Sequence, residues 1–375
     1  MLAIAMRMLV GDRGKYLSLV AGLSFAVLLI AQQGAIFLGL IRMSTGILQN
    51  VAQADLWITD KHTKFIQEIR PLHDKDLDRV RSIPGIAWAV PFFQARALVD
   101  LPDGAFKTVQ LYGIDRATLV GQPPTVIEGR LEDLRSPDAV MVEESSRAKL
   151  NVWKLGQVLK LNDRRAVVVG FIRAKLGFES NATLYATYDN AVRMVPVGRE
   201  SLSFVLVKVK PGHDVARVAA DITGRTGLGA YTHDQMQWRT IDFILRETGI
   251  GINFGVTVLL GFIVGLAIVT TTFYQFTLEN LRYFAVLAAM GAGRATLTGM
   301  VLLQAGVVGL IGFGIGTGLA SAFTISTRKP GAELAAYFPW PLFLITLAAT
   351  MICVGLGSLL SLRRVVTLEP AMVFK

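Results

Sequence analysis

Charge is what this chain is short of. Only 18% of its 375 residues are Asp, Glu, Lys or Arg, where a soluble chain carries about a quarter. The shortage is concentrated: residues 16–41, 248–278, 295–327 and 334–362 contain none. Each run exceeds the roughly 20 residues needed to cross a bilayer core. A charge at the bilayer centre costs about 2.5–3.5 kcal/mol on insertion scales, so four such runs read as four membrane spans.

Other absences remove other functions. Cys353 is the sole cysteine and lies in the fourth run, so no intrachain disulfide staples the fold. The chain has no G-x-x-x-x-G-K-[ST], no H-E-x-x-H and no G-x-S-x-G, which excludes the common ATPase, metalloprotease and hydrolase signatures. His62, His73, His213 and His233 show no metal-ligand spacing, so no metal and no catalytic residue is assigned. The stretch His73-Asp74-Lys75-Asp76-Leu77-Asp78 has the spacing of a calcium loop. Such a loop needs Gly and Glu where this chain has Arg79 and Gly85. Acidic residues opening a helix explain it better.

What is present divides the chain. Residues 42–246 hold 28 of the 38 Lys+Arg and 23 of the 28 Asp+Glu, enough for a folded domain with its own core. Short strands and helices alternate through it. Expected strands are 55–59, 92–99, 106–112, one beginning near 139, "QVLKL", "RAVVVGFI" and 202–210. Expected helices lie in "LHDKDLDRVRSIPGI", near "EESSRAKL", at 187–195 and at 213–224. The fold class is therefore an α-helical integral membrane protein of four transmembrane helices, with a large extracytoplasmic α+β domain between helices 1 and 2. Within that domain, 113–172 is the more β-rich lobe.

The remaining boundaries follow. Residues 1–15 form an amphipathic N-terminal segment and 16–41 the first span. The second span is 247–278, a short connecting helix 279–294, and the third span 295–327. A short outer loop at 328–338 precedes the fourth span, 339–362, and the tail, 363–375. Positive residues orient the chain. Arg7, Arg13, Lys15, Arg282, Arg294, Arg363, Arg364 and Lys375 lie on the side of the termini, against Arg328 and Lys329 opposite. That places both termini in the cytoplasm. The net charge of +10 lacks basic runs interleaved with aromatics, so it points to anionic lipid and not to nucleic acid. Ala52-Gln53-Ala54 resembles a signal-peptidase site, but the uncharged run before it is 26 residues against about 7–15 for a signal segment. The first span is expected to stay attached.

Glycines recur four apart in the spans: Gly251 and Gly255, Gly261 and Gly265, Gly312 and Gly316, Gly314 and Gly318. In lipid such spacing lets helices approach closely, in a tight bundle or a dimer face. Gln32 and Gln33, deep in the first span, are expected to hydrogen-bond a neighbouring helix. The second and third uncharged runs, 31 and 33 residues, would extend about 46 and 50 Å as helices. Against a core of about 30 Å they must tilt, break or project.

One stretch between spans two and three is unusual. Residues 282–294 read "RYFAVLAAMGAGR", apolar throughout with an arginine at each end. With "AMRMLVGDRGKYLSLVAGLSFAV", "TLENLRYFAVLAAMGAGRATLTGMVLLQA", "VIEGRLEDL", "KLGQVLKLNDRRAVVVGFI" and "LEPAMVFK", it resembles the MacB/FtsX-like permease family of ABC transporters, in particular DevC-like permeases. Arg282, Leu287, Ala289, Gly291 and Ala292 match the family's character in this helix.

The resemblance implies a bacterial inner-membrane subunit whose coupling helix docks on a separate ABC ATPase. Arg282, Tyr283, Val286, Leu287 and Met290 would face that partner. Gly291 and Gly293 would end the helix, and Glu279 and Arg294 would fix its ends. No cofactor is expected on this chain, since ATP and Mg²⁺ are used by the ATPase. A second permease copy, as a homodimer or a paralogue, a periplasmic adaptor and an outer-membrane channel are the further partners implied. Export or mechanotransmission is the function implied. An FtsX-type regulator of a cell-wall hydrolase and a Lol-type lipoprotein-releasing permease are the alternatives within the family.

Overall fold

A computed structural model of the chain describes residues 2–11, 13–177, 181–195, 202–327 and 336–366. Residues 367–375 of the tail and 328–335 of the loop expected over 328–338 lie outside the described residues. Two compact units emerge. Leu40–Gly249 forms one, and the described chain before and after it forms the other.

The helical unit contains α1 (Leu2–Gly11), α2 (Arg13–Ser44), α9 (Ile250–Glu279), α10 (Leu281–Ala289), α11 (Arg294–Ser326) and α12 (Trp340–Val366). Among the described residues, α2, α9, α11 and the first twenty residues of α12 are long and apolar enough to cross a membrane. None of the three longer spans is broken. Small residues set their packing, as expected in lipid. A methyl group added at Gly265 would stand 2.5 Å from the Ala26 Cβ, and one at Gly312 would stand 2.9 Å from Leu23. At Gly316 it would lie 2.7 Å from the Ser24 carbonyl oxygen, and at Gly261 3.4 Å from Leu29. All four of these glycines therefore seat against α2. Gly251 and Gly255 do not belong with them. Gly255 is exposed with nothing within 4 Å of an added methyl, and half-buried Gly251 is not among the buried glycines of α9. Gly314 and Gly318 likewise face open space. Gln32 and Gln33 are half-buried, and neither side chain finds a hydrogen-bond partner among the described residues, contrary to expectation.

The second unit is built on a mixed ten-stranded sheet. Its strands are β1 (Leu56–Thr59), β2 (Ile86–Asp100), β3 (Phe106–Ile114), β4 (Thr125–Gly129), β5 (Ala139–Glu143), β6 (Val158–Leu161), β7 (Arg164–Arg173), β8 (Ala182–Thr187), β9 (Phe204–Val209) and β10 (Gly229–Thr232). The order is β10-β1-β9-β2-β3-β8-β5-β7-β4, with β6 pairing β2 and β7. The β3–β8 and β5–β7 pairs are parallel.

Side-chain alternation assigns the helices to faces. Leu56 and Ile58 pack under α4 (Asp74–Arg81) and α7 (Val215–Thr226), in a cluster with Val80, Val218 and Ile222. Trp57 and Leu206 point the other way, toward α3 (Gly46–Asn50) and α8 (His233–Arg246), in a cluster with Leu48 and Met236. At the centre of that second cluster Trp57 meets Phe92 and Phe204 edge-on, with ring centroids 5.7 and 5.6 Å away. The remaining helices are α5 (Ser146–Leu150) and α6 (Tyr188–Met194).

Residues 113–172 do not stand apart as a lobe. Position 113 falls inside β3, and β2 is shared: Ile86–Phe92 pairs with β9, whereas Phe93–Asp100 pairs with β3. The β-rich half is thereby hydrogen-bonded into one sheet. The acidic stretch after His73 is the start of α4, where the Asp76 carboxylate accepts from the His73 backbone N–H at 3.1 Å. Strands β4, β8 and β10 and helix α8 were not anticipated from the sequence.

Candidate partner-docking site

α9 ends at Glu279 and α10 begins at Leu281, so the chain turns at one residue, Asn280. The Asn280 carbonyl accepts from the Tyr283 and Phe284 N–H groups at 3.0 and 3.1 Å, opening the new helix. Its backbone N–H and its side-chain amide both donate to the Phe276 carbonyl, at 3.1 and 2.8 Å, closing the last turn of α9. The other end of α10 closes as a Schellman motif. Gly291 adopts φ +96°. Its N–H donates to the Ala288 carbonyl and the Ala292 N–H to the Leu287 carbonyl, both at 3.0 Å. Gly293 then caps α11, its carbonyl accepting from Thr296 and Leu297 at 3.0 and 3.2 Å.

The faces of α10 differ. Phe284 and Ala285 are buried, and Phe284 joins Leu297, Met300 and Val301 of α11 in a small cluster. Tyr283, Val286 and Met290 are 62%, 41% and 78% exposed. Their i, i+3, i+7 spacing makes one apolar stripe that the bundle leaves uncovered. Arg282 and Arg294 are exposed beside it, and neither has a hydrogen bond or ion pair among the described residues. Arg294 is the first residue of α11, where the helix dipole disfavours a cation. The result is an apolar strip bordered by exposed positive charge.

Two expectations need correction. Leu287 does not lie on the open stripe: it is half-buried against the Phe284 cluster, beside Ala292. The hydrophobic contact that accompanies the Schellman turn draws it inward. Glu279 and Arg294 do not fix the ends of α10. Asn280 and Gly291 do so, while the Glu279 carboxylate is ion-paired with Lys15 of α2. No sequence signal linked Lys15 to Glu279. Among the described residues no group of three or more His, Cys, Asp or Glu is placed to hold a metal ion.

Four spans with a mixed-sheet domain between the first and second define a multi-pass membrane protein carrying one large extramembrane domain. Residues 17–225 match the MacB-like periplasmic core domain, and residues 255–370 match the FtsX-like permease C-terminal domain. The chain belongs to the MacB/FtsX-like family of ABC transporter permeases. It is 25% identical over 315 residues to an uncharacterized ABC transporter permease of Mycobacterium tuberculosis, covering 81% of this chain and 79% of the relative. An uncharacterized ABC transporter permease of Mycobacterium bovis is 25% identical over 305 residues, with the same coverage.

Among solved structures, the periplasmic region of MacB from Actinobacillus actinomycetemcomitans aligns with a TM-score of 0.40 at 18% identity. That alignment covers 54% of this chain and 98% of that one. The extracellular domain of the noncanonic ABC-type transporter YknZ from Gram-positive bacteria gives 0.36 at 13% identity, covering 48% and 99%.

Proposed function

We propose that this chain is the transmembrane subunit of an ATP-driven export or mechanotransmission complex of the DevC-like type. α10 is the surface on which a separate ABC ATPase docks, and ATP hydrolysis with Mg²⁺ belongs to that partner. The observation that carries this reading is the uncovered stripe of Tyr283, Val286 and Met290 beside Arg282 and Arg294, exposed and unpaired among the described residues. A surface that is both apolar and cationic is suited to a protein groove rimmed with carboxylates. The family assignment makes an ATPase its natural occupant.

The eight-to-two distribution of short-loop cations supports cytoplasmic termini in a bacterial inner membrane, with Leu40–Gly249 on the outer side. α9, the least buried of the four spans, leaves an apolar face to lipid or to a second permease copy. A periplasmic adaptor and an outer-membrane channel complete the export assembly.

The test is reconstitution with the cognate ABC ATPase of the source organism. Arg282→Glu with Met290→Asp changes only exposed side chains, so insertion and folding should be retained. ATPase binding should fall at least tenfold. Undiminished binding, or intact coupling of hydrolysis to the full complex, overturns the reading.

A further inference from the structure

α10 is joined covalently to α9 through Asn280 and to α11 through residues 290–293. α2 has no such connection, although its chain continues into the outer domain. Two contacts nevertheless bring the N-terminal part of the chain to α10 and to the end of α9 that precedes it. Met8 of α1 packs against the cluster formed by Phe284, Leu297, Met300 and Val301. The Lys15 ammonium of α2 donates to the Glu279 carboxylate at the last residue of α9, across 264 residues of sequence.

The placement of this pair is informative. Lys15 is the third residue of α2, and Glu279 is the last residue of α9. A cation near a helix N-terminus and an anion at a helix C-terminus both oppose the macrodipole. Each charge is therefore unfavourable for its own helix, and the pairing across the gap offsets both. Both side chains are well exposed, at 37% and 52%, and an exposed pair contributes little to global stability. What the pair adds is registration of one helix end against the other.

Resting on the docking role of α10, we propose that Lys15 and Glu279 are positioning residues. They tie the entry of the coupling helix to the start of the first span, so that displacement of α10 reaches α2 as well as the two spans it joins. α1, through Met8, is part of the same element.

The experiment uses the full chain in lipid nanodiscs, with Lys15→Glu, Glu279→Lys, the double exchange, and Lys15→Arg. Spin labels at Leu17→Cys on α2 and Ala289→Cys on α10 report the separation of the two elements without any ATPase present. Each single reversal should broaden the distance distribution, the double exchange should restore it, and Lys15→Arg should leave it unchanged. With the ATPase added, each reversal should lower coupled hydrolysis about fivefold, and the exchange should recover it to within about twofold. Unchanged distances in the reversals, or failure of the exchange to restore them, overturns the tie. If the distances respond as stated but the ATPase neither binds nor responds, the tie stands and the docking role of α10 fails.

Discussion

The outer domain and the helical bundle solve the same packing problem with opposite materials. In the domain, the largest buried groups are Trp57, Tyr185, Phe92, Phe171 and Phe204, interlocked between sheet and helices. In the bundle, close approaches run through glycines, among them Gly265, Gly312 and Gly316 against α2 and Gly22 against α9. Water supplies the reason. In the domain, removing large apolar surface from solvent drives folding, at about 25 cal/mol per Å². In lipid that drive is missing between helices, so close backbone approach and dispersion contacts take over. Bulk stabilises one region and its absence stabilises the other.

The contrast can be broken most strongly at Trp57. Trp57→Ala empties the centre of the aromatic cluster and should cost the domain about 3–5 kcal/mol, read as a lowered denaturation midpoint with the bundle's helicity unchanged. A loss below about 1 kcal/mol would mean that the cluster is not what holds the domain, since ordinary surface changes already reach about half that.

A matched pair on α11 gives the next effect. Gly316→Ala drives a methyl to 2.7 Å from the Ser24 carbonyl oxygen, and overpacking of this kind costs about 1–3 kcal/mol. Gly318→Ala, two residues away with open space around it, should be neutral or gain up to about 1 kcal/mol from helix propensity. Thermal unfolding in detergent should separate the two variants, and equal midpoints would refute close packing at Gly316. The smallest effect separates space from backbone. Gly291 has nothing within 4 Å of an added methyl, yet its φ is +96°. Gly291→Ala should cost about 1–2 kcal/mol through backbone strain alone, visible as fraying of α10 in hydrogen exchange.

The spans were legible in the sequence because exclusion of charge from lipid leaves a long, unambiguous record. The strands that escaped each lacked the usual alternation. β8, Ala-Thr-Leu-Tyr-Ala-Thr, is buried on both faces at the sheet's interior and carries small and hydroxyl residues. β4 is exposed or half-exposed along its whole length and carries a register shift. α8 buries Thr240 between Met236 and Ile244, which blurs its apolar stripe. Its start was readable: the Thr232 hydroxyl accepts from the Gln235 N–H at 3.3 Å, and the Gln235 side chain accepts from the Thr232 N–H at 3.0 Å, a capping box.

At α10 the sequence identified the element but not its orientation. Phe284, Val286 and Leu287 are all apolar, and only the position of α11 decides which are covered. The glycine repeats were partly misleading for a related reason. Spacing shows that helices can approach, not which neighbour arrives. Gly22, Gly34 and Gly357, which belong to no repeat, also make close interhelical contacts.

The length of β2 carries a mechanical consequence. One uninterrupted strand of fifteen residues is hydrogen-bonded to β9 along its first half and to β3 along its second. A torque applied to either half of the sheet is therefore borne by covalent backbone at the crossing, where side-chain contacts alone would let the halves slip. The two halves of the sheet are thereby coupled through one backbone where a hinge would otherwise be expected.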